Sequence, residues 1–334
     1  MAEGFGSTIY DVAEKAGTSI STVSRYLNAP DKVNDDTALR IRAAVDELGY
    51  IRHGNAGPRA FRRVGRVGVL APFFTAPSFI QRLQGIAEVL RRESYEMLVY
   101  AVDAPEHLDN YLRSSVFAKR LDGLIVMSMR ISDEHAQWLR HSGLPVVLIE
   151  QSSDRFSCIE CDNVAGGRLA AEHFLSKGYE PCGYIGERQI LPYSLQPSQL
   201  RLSGFRSAME AAGKSLRDDF VVLGEGTVED ARRIAYDLLS KSDRPRAIFA
   251  CWDLLAFGVI KAARSLNLRI PEDVAILGFD DIEAADYMEL STISQSLYES
   301  GCLAAETLTG RIGRNDRPLQ TIRLTVSVVQ RKTT

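Results

Sequence analysis

No run in the 334-residue sequence approaches the roughly 18 apolar residues that a membrane span needs, and the first 30 residues hold no apolar signal core. The chain is therefore expected to contact no membrane, to escape secretion and to stay in the cytoplasm. Cysteine is sparse and odd in number, five in all, which argues for reduced thiols over a disulfide framework. Cys158 and Cys161 form a C-x-x-C, but Cys182, Cys251 and Cys302 are scattered and no His stands at zinc spacing. On a strand, two positions of unlike parity point to opposite faces, which further disfavours a shared metal. No G-x-G-x-x-G follows a strand-like run and no G-x-x-x-x-G-K-[ST] occurs, so the two commonest phosphate cradles are missing. The histidines (53, 107, 135, 141, 173) show no metal or nucleophile–base spacing, and adjacent Asp280 and Asp281 cannot both aim at one bond. Neither an enzyme nor a cofactor is expected. Tryptophan is limited to Trp138 and Trp252.

What is present begins with Thr8 to Leu27. Ile9, Val12, Ala13 and Ala16 mark one side of a short helix. Thr8, with Asp11 three residues on, is a helix-start signature, and Gly17 suits the turn that ends it. Ser19 offers a second cap before Val23 and Leu27, and the spacing of the two helices is that of a helix-turn-helix. A third helix, from Asn34 to Leu48 with Ala38, Ile41, Val45 and Leu48 at helical spacing, must close the core. If the second helix reads DNA, Ile20, Ser21 and Arg25 face the major groove, with Arg25 suited to guanine. Thr8, Tyr10, Ser19, Ser24 and Asn28 are short polar groups suited to phosphates. The plainer alternative is a solvated three-helix cap with no ligand.

Net charge is only −3, but its distribution is uneven: residues 50–66 hold five Arg (52, 59, 62, 63 and 66) and no acid. A basic connector beside such a head is the electrostatic footprint of a phosphate backbone, the alternative being a solvated linker.

TIYDVAEKAGTSISTVSRYLN, followed by VNDDTALRIRAAVDELGYI, resembles the N-terminus of the lac repressor and purine repressor family of bacterial transcription regulators. The resemblance covers about the first 50 residues almost continuously and implies that Ile20, Ser21 and Arg25 read an operator. It also implies a hinge, 51–66, that becomes helical on DNA and wedges a leucine into the minor groove. A gap-free alignment puts Arg59 at the leucine and Pro58 inside the helix, where it removes a backbone donor. A shift of two residues makes Pro58 a first-turn proline and offers Phe61 as the wedge, and is preferred. A hinge that stays non-helical is the alternative.

From Val67 strand-like and helix-like runs alternate. Strands are expected at Val67–Ala71, Met97–Val102, Gly123–Met127, Pro145–Ile149, Gly183–Gly186, Ala247–Cys251 and Val274–Gly278, with a last run at Thr325–Gln330. Helices are expected at Phe79–Leu90, Val164–Leu175, Gln199–Ala212, Val228–Leu239 and Leu255–Leu266. This predicts parallel sheets covered by helices on both faces, and more units than one lobe holds. The expected architecture is an N-terminal all-α helix-turn-helix domain (1–50) plus an α/β periplasmic-binding-protein-like effector domain (67–334) of two doubly wound lobes. By resemblance, lobe 1 takes about 67–161 and 293–323, and lobe 2 about 162–292 and 324–334. No leucine heptad follows the last run, so no helical tetramer tail is expected.

Ligands of open α/β lobes sit beyond the C-terminal strand ends. Those ends and the facing helix starts give Phe73, Ser78, Phe79, Ser128, Glu150, Arg201, Trp252 and Asp280 as effector-binding candidates. Resemblance supports several of them. The family's R-L-x-G-F stands at 201–205, its G-F-D-D at 278–281, and its A-N-D reads Cys251–Trp252–Asp253, an aromatic replacing the amide. Charged planar groups with an aromatic face suit a saccharide. Plainer roles are core packing for Trp252, a turn cap for Asp280 and a surface helix position for Arg201. Asp253 and Asp281 read as caps.

The leading expectation is a homodimeric, nucleoid-associated repressor of a pseudo-palindromic operator, governed by a small molecule, most simply a sugar. The alternative is a binding protein of the same fold for a nucleobase or phosphosugar.

Overall fold

Three polar side chains start the three helices of the first unit. The computed structural model describes residues 8–48, 50, 64–188, 193–314 and 317–334. Thr8 caps α1 (Ile9–Lys15): its Oγ1 accepts from the Asp11 N–H at 3.4 Å while the Asp11 carboxylate accepts from the Thr8 N–H at 2.6 Å. These bonds hold the Asp11 carboxyl below its usual range, the Thr8 backbone N–H contributing most. Gly17 then takes φ +59°, a conformation that resists a side chain. Ser19 caps α2 (Ile20–Asn28) through the Thr22 N–H, and Asn34 caps α3 (Asp35–Leu48) through the Thr37 N–H. Helices of this length are marginal alone. They hold because Val12, Ala13, Ala16, Val23, Ile41 and Ala44 form one buried core. Ala44 takes the place in that core expected for Ala38, which stays half-buried.

The chain divides into two compact units, Met1–Val64 and Gly65–Thr334. In the second, the chain runs β1 (Gly65–Ala71), α4 (Pro77–Arg92), β2 (Tyr95–Ala101), α5 (Pro105–Arg113), α6 (Ser115–Arg120), β3 (Gly123–Met127), α7 (Asp133–Ser142), β4 (Val146–Ile149) and β5 (Ser157–Cys161). It continues through α8 (Asn163–Ser176), β6 (Cys182–Glu187), α9 (Pro197–Ala211), β7 (Val221–Gly224), α10 (Val228–Leu239), β8 (Ala247–Ala250), α11 (Asp253–Ser265), β9 (Ala275–Asp280), α12 (Glu283–Tyr287) and β10 (Ser291–Ser294). It ends with α13 (Leu297–Arg311), β11 (Thr321–Leu324) and β12 (Ser327–Val329).

Two six-stranded sheets result, ordered β11-β5-β4-β3-β1-β2 and β12-β10-β9-β8-β6-β7. Among these strands only the β10–β12 pair is antiparallel. Central strands such as β3 are buried along their whole length, as sheets covered on both faces require. The chain passes between sheets after Cys161, after Ser294 and after Leu324. Ile293 and Ser294 pair with Phe279 and Asp280, so they lie in the second sheet, not in the first lobe as the expected boundary near 293 has it. The expected last run, Thr325–Gln330, contains the strand Ser327–Val329, which joins the second sheet, while Leu324 just before it ends a strand of the first. Cys158 packs in the core of the first lobe and Cys161 against that of the second; both are free thiols pushed up by burial, to about 11 and about 12.

Mid-helix glycines cost about 0.5–1 kcal/mol in propensity, so their presence needs a packing reason. At Gly167 in α8 and Gly301 in α13 the reason is direct. A Cβ there would collide with the backbone carbonyl of Arg201 in α9 and of Arg82 in α4, respectively. Each helix turn that carries one of these arginines is thus seated on a glycine of the neighbouring helix. A Gly167→Val variant is expected to lower stability by about 1–3 kcal/mol or more, since backbone cannot move aside as a side chain can. The midpoint of urea unfolding measures this.

Candidate functional site

In the first unit α2 turns Val23 into the core and leaves Ile20 (40% exposed), Ser21 and Arg25 in solvent. Among the described residues Arg25 has no ion pair. Tyr10 is also exposed, whereas Ser24 is half-buried with an interaction of its own. Thr8 and Ser19 commit their hydroxyls to caps: Thr8 Oγ1 donates to Asp11 at 2.7 Å, and Ser19 Oγ lies 2.8 Å from both Ser21 Oγ and Thr22 Oγ1. The side chain of Asn28, and Arg59 and Phe61 with the rest of 51–63, lie outside the described residues.

The second unit encloses a cavity of about 330 Å³ between its two sheets' C-terminal edges. All eight residues singled out from strand ends and helix starts line it: Phe73, Ser78, Phe79, Ser128, Glu150, Arg201, Trp252 and Asp280. Asp253 does not. It is fully buried behind the cavity and accepts from the Ile282 N–H (2.9 Å) and Thr292 Oγ1 (2.5 Å), bracing the start of α12. Burial pushes its carboxyl well up, reinforced by Asp280 and Asp281. Asp281 is held by Arg331 at 2.9 Å.

The cavity's polar core spans both lobes. Helices α4 and α9 each begin with proline at the first turn and carry an arginine on the second. Arg82 is 2% exposed and Arg201 1%. Arg82 Nη2 donates to Glu150 at 2.5 Å and to Gln295 Oε1 at 3.0 Å, and its Nε to Ser300 at 3.2 Å. Arg201 Nε donates to Asn163 at 2.9 Å and Nη1 to the Cys251 carbonyl, while Asp280 lies 3.6 Å away. The Arg201 guanidinium also stacks 3.5 Å over the Phe279 ring. Gln295 joins the halves: its Oε1 accepts from Arg82 and its Nε2 donates to Asp280 at 2.5 Å.

Burial alone would raise the Glu150 carboxyl, but the Arg82 guanidinium, the Ser128 hydroxyl that donates to it and Arg201 hold it below the usual range. Asp280 goes the other way. Burial pushes it up to about 6, and Arg201 and Arg82 only partly offset this. Ser128 (φ 52°), Glu150 (71°) and Asp280 (120°) all adopt left-handed backbone at strand ends, a strain of about 1–3 kcal/mol each that clusters at functional sites. Phe73, edge-on to Phe79 (5.9 Å, 79°), and Trp252 add aromatic surface to the same cavity.

Arg82 and Gln295 went unread in the sequence. Arg82 stands four residues after Ser78, so the helical period from that candidate would have reached it. Gln295 follows a strand too polar to recognise as one.

Two family models match the chain: bacterial regulatory proteins of the lacI family over residues 8–53, and a periplasmic binding protein-like domain over 171–334. The HTH-type transcriptional repressor PurR of Serratia proteamaculans is 30% identical over 342 residues, covering 98% of this chain and 96% of that protein. The structure of a lacI-family regulator from Silicibacter pomeroyi superposes with a TM-score of 0.82 at 26% identity over 98% of this chain and 99% of its own. A lacI-family regulator from Enterococcus faecium, solved with bound ribose, gives 0.70 at 26% identity over 80% of this chain and 98% of its own. With head and body both matched, and a repressor 30% identical over nearly its whole length, the chain belongs to the lacI family of bacterial transcription regulators.

Proposed function

We propose that the protein is a homodimeric repressor acting in the cytoplasm, on the nucleoid, at a pseudo-palindromic operator, and that a saccharide between the lobes sets its affinity. One short recognition helix reads too few base pairs alone; two, about one DNA turn apart, read a palindrome. The observation that carries the effector reading is the convergence of Arg82 and Arg201 with Glu150 and Asp280 through Gln295, under aromatic walls. Guanidinium and carboxylate groups bond vicinal hydroxyls while rings cover the C–H face of a sugar. Four carboxylates (Glu150, Glu187, Glu225, Asp280) against two engaged arginines disfavour a phosphorylated ligand. Because Gln295 ties the lobes together through groups the ligand would contact, occupation shifts the lobe equilibrium and with it the fit of two heads to two half-sites.

Trp252 lines the cavity, so its fluorescence reports occupation. At least one sugar, ribose among those screened, is expected to change both the emission and operator retention, and Trp252→Phe to remove the optical signal. A response to nucleobases or phosphosugars with none to any sugar overturns the reading.

A further inference from the structure

Glu187 ends β6 at the cavity; its backbone N–H donates to Ser198 Oγ, but its carboxylate has no hydrogen-bond or ion-pair partner among the described residues. The other acids are provided for. Glu150 has Arg82, Asp280 has Gln295 and Arg201, and Glu225 at the rim is attracted to Arg233 outside. Arg201 acts on Glu187 by attraction without a hydrogen bond, its Nε and Nη1 being directed to Asn163 and Cys251. Neighbouring Arg188 is exposed and acts on Asp230, and the sequence that follows, 189–192, contains no cation.

The surroundings of Glu187 are specific. Gly226 takes φ +77°, and a Cβ there would stand only 3.0 Å from Glu187 Oε2 and 3.4 Å from Trp252 Cζ2, so the absent side chain lets the carboxylate and the indole come together where all three residues line the cavity. A carboxylate and an indole brought together on one part of the cavity lining form a recognition site for a compact cation, by ion pairing and by attraction to the ring. We infer that the ligand of this cavity is an amino sugar, whose protonated amine sits in the cavity against Glu187 and Trp252. This rests on the saccharide reading and narrows it. Burial pushes the Glu187 carboxyl up to about 7, against the pull of Arg201, so a half-buried anion here lacks the counter-charge that such a ligand brings.

The test compares matched probes on the full-length protein by Trp252 fluorescence and calorimetry: glucosamine and galactosamine, their N-acetyl derivatives, and glucose and galactose. N-acetylation removes the charge and keeps the ring. At least one amino sugar is expected to bind 10-fold or more tighter than both its neutral parent and its N-acetyl form. In Glu187→Gln, which keeps the shape and removes the charge, that ratio is expected to collapse to about one. Neutral parents binding as tightly as the amines, or a preference that survives Glu187→Gln, overturns the inference and leaves the saccharide reading standing. Silence towards every sugar, charged or neutral, overturns both.

Discussion

An Arg25→Ala variant is expected to bind its operator far more weakly while keeping most of its affinity for random duplex. A bidentate arginine–guanine contact carries about 1–3 kcal/mol of discrimination, roughly 5–150-fold for each half-site. In the proposed dimer two such side chains act, so the expected free-energy loss doubles. The argument starts from the head's own construction. Val23 anchors α2 in the core, Ser19 fixes its first turn, and Arg25 is left exposed and without an ion pair among the described residues. An exposed side chain with no ion pair among the described residues is truncated, so the fold should stand and circular dichroism should not change. Operator and random duplex are titrated at several salt concentrations. A phosphate contact instead predicts a uniform loss across sequences and a salt slope reduced by about one. Equal weakening on both duplexes therefore reassigns Arg25 to the backbone.

The head was legible because its determinants are local. Thr8, Ser19 and Asn34 each bond a backbone N–H three residues on, and a cap of that kind is written in the sequence itself. The cavity was legible for a topological reason: strand ends of parallel sheets converge, so Ser128, Glu150 and Asp280 could be chosen before any geometry was known. What stayed hidden depends on packing across the chain. Ser291–Ser294 lacks the apolar run that marks the other strands, yet it is a strand between β9 and β12, and that pairing places Gln295 beside Asp280 and Arg82. The Gly166–Gly167 pair stands inside a helical pattern with no reason visible along the chain, until the Arg201 carbonyl of α9 is placed against Gly167 and the Phe279 ring of β9 against Gly166. Trp252 illustrates a false choice: it packs against the core of the second lobe and lines the cavity as well. Arg201, for which a surface position was an open alternative, is one of the most deeply buried side chains in the protein.

That burial makes Arg201 the site of the largest expected effect in the second unit. Arg201→Met keeps the length and apolar stem but leaves three groups without their donor or counter-charge: Asn163 Oδ1, the Cys251 carbonyl and the Asp280 carboxylate. Breaking one side of a buried charged cluster costs about 3–5 kcal/mol, and the sugar response should vanish with it. The pH dependence identifies the origin. In the wild type Asp280 is already raised to about 6, Arg201 being the chief group that holds it from rising further. Without Arg201 its folded-state value moves higher still. A carboxyl whose pKa is higher folded than unfolded contributes stability that is present at low pH and lost as pH rises through the folded value. At pH 7.5 the wild type still bears the Asp280 charge beside the Arg201 guanidinium, whereas the variant must bury it with only the Gln295 hydrogen bond and the attraction of Arg82, or protonate it. At pH 5 Asp280 is mostly protonated in both, and this part of the difference disappears. The stability gap measured by urea unfolding should therefore narrow between pH 7.5 and pH 5 without closing, because Asn163 and the Cys251 carbonyl lack their donor at either pH. A gap of equal size at both values would locate the loss in packing over Phe279 and not in the charge of Asp280.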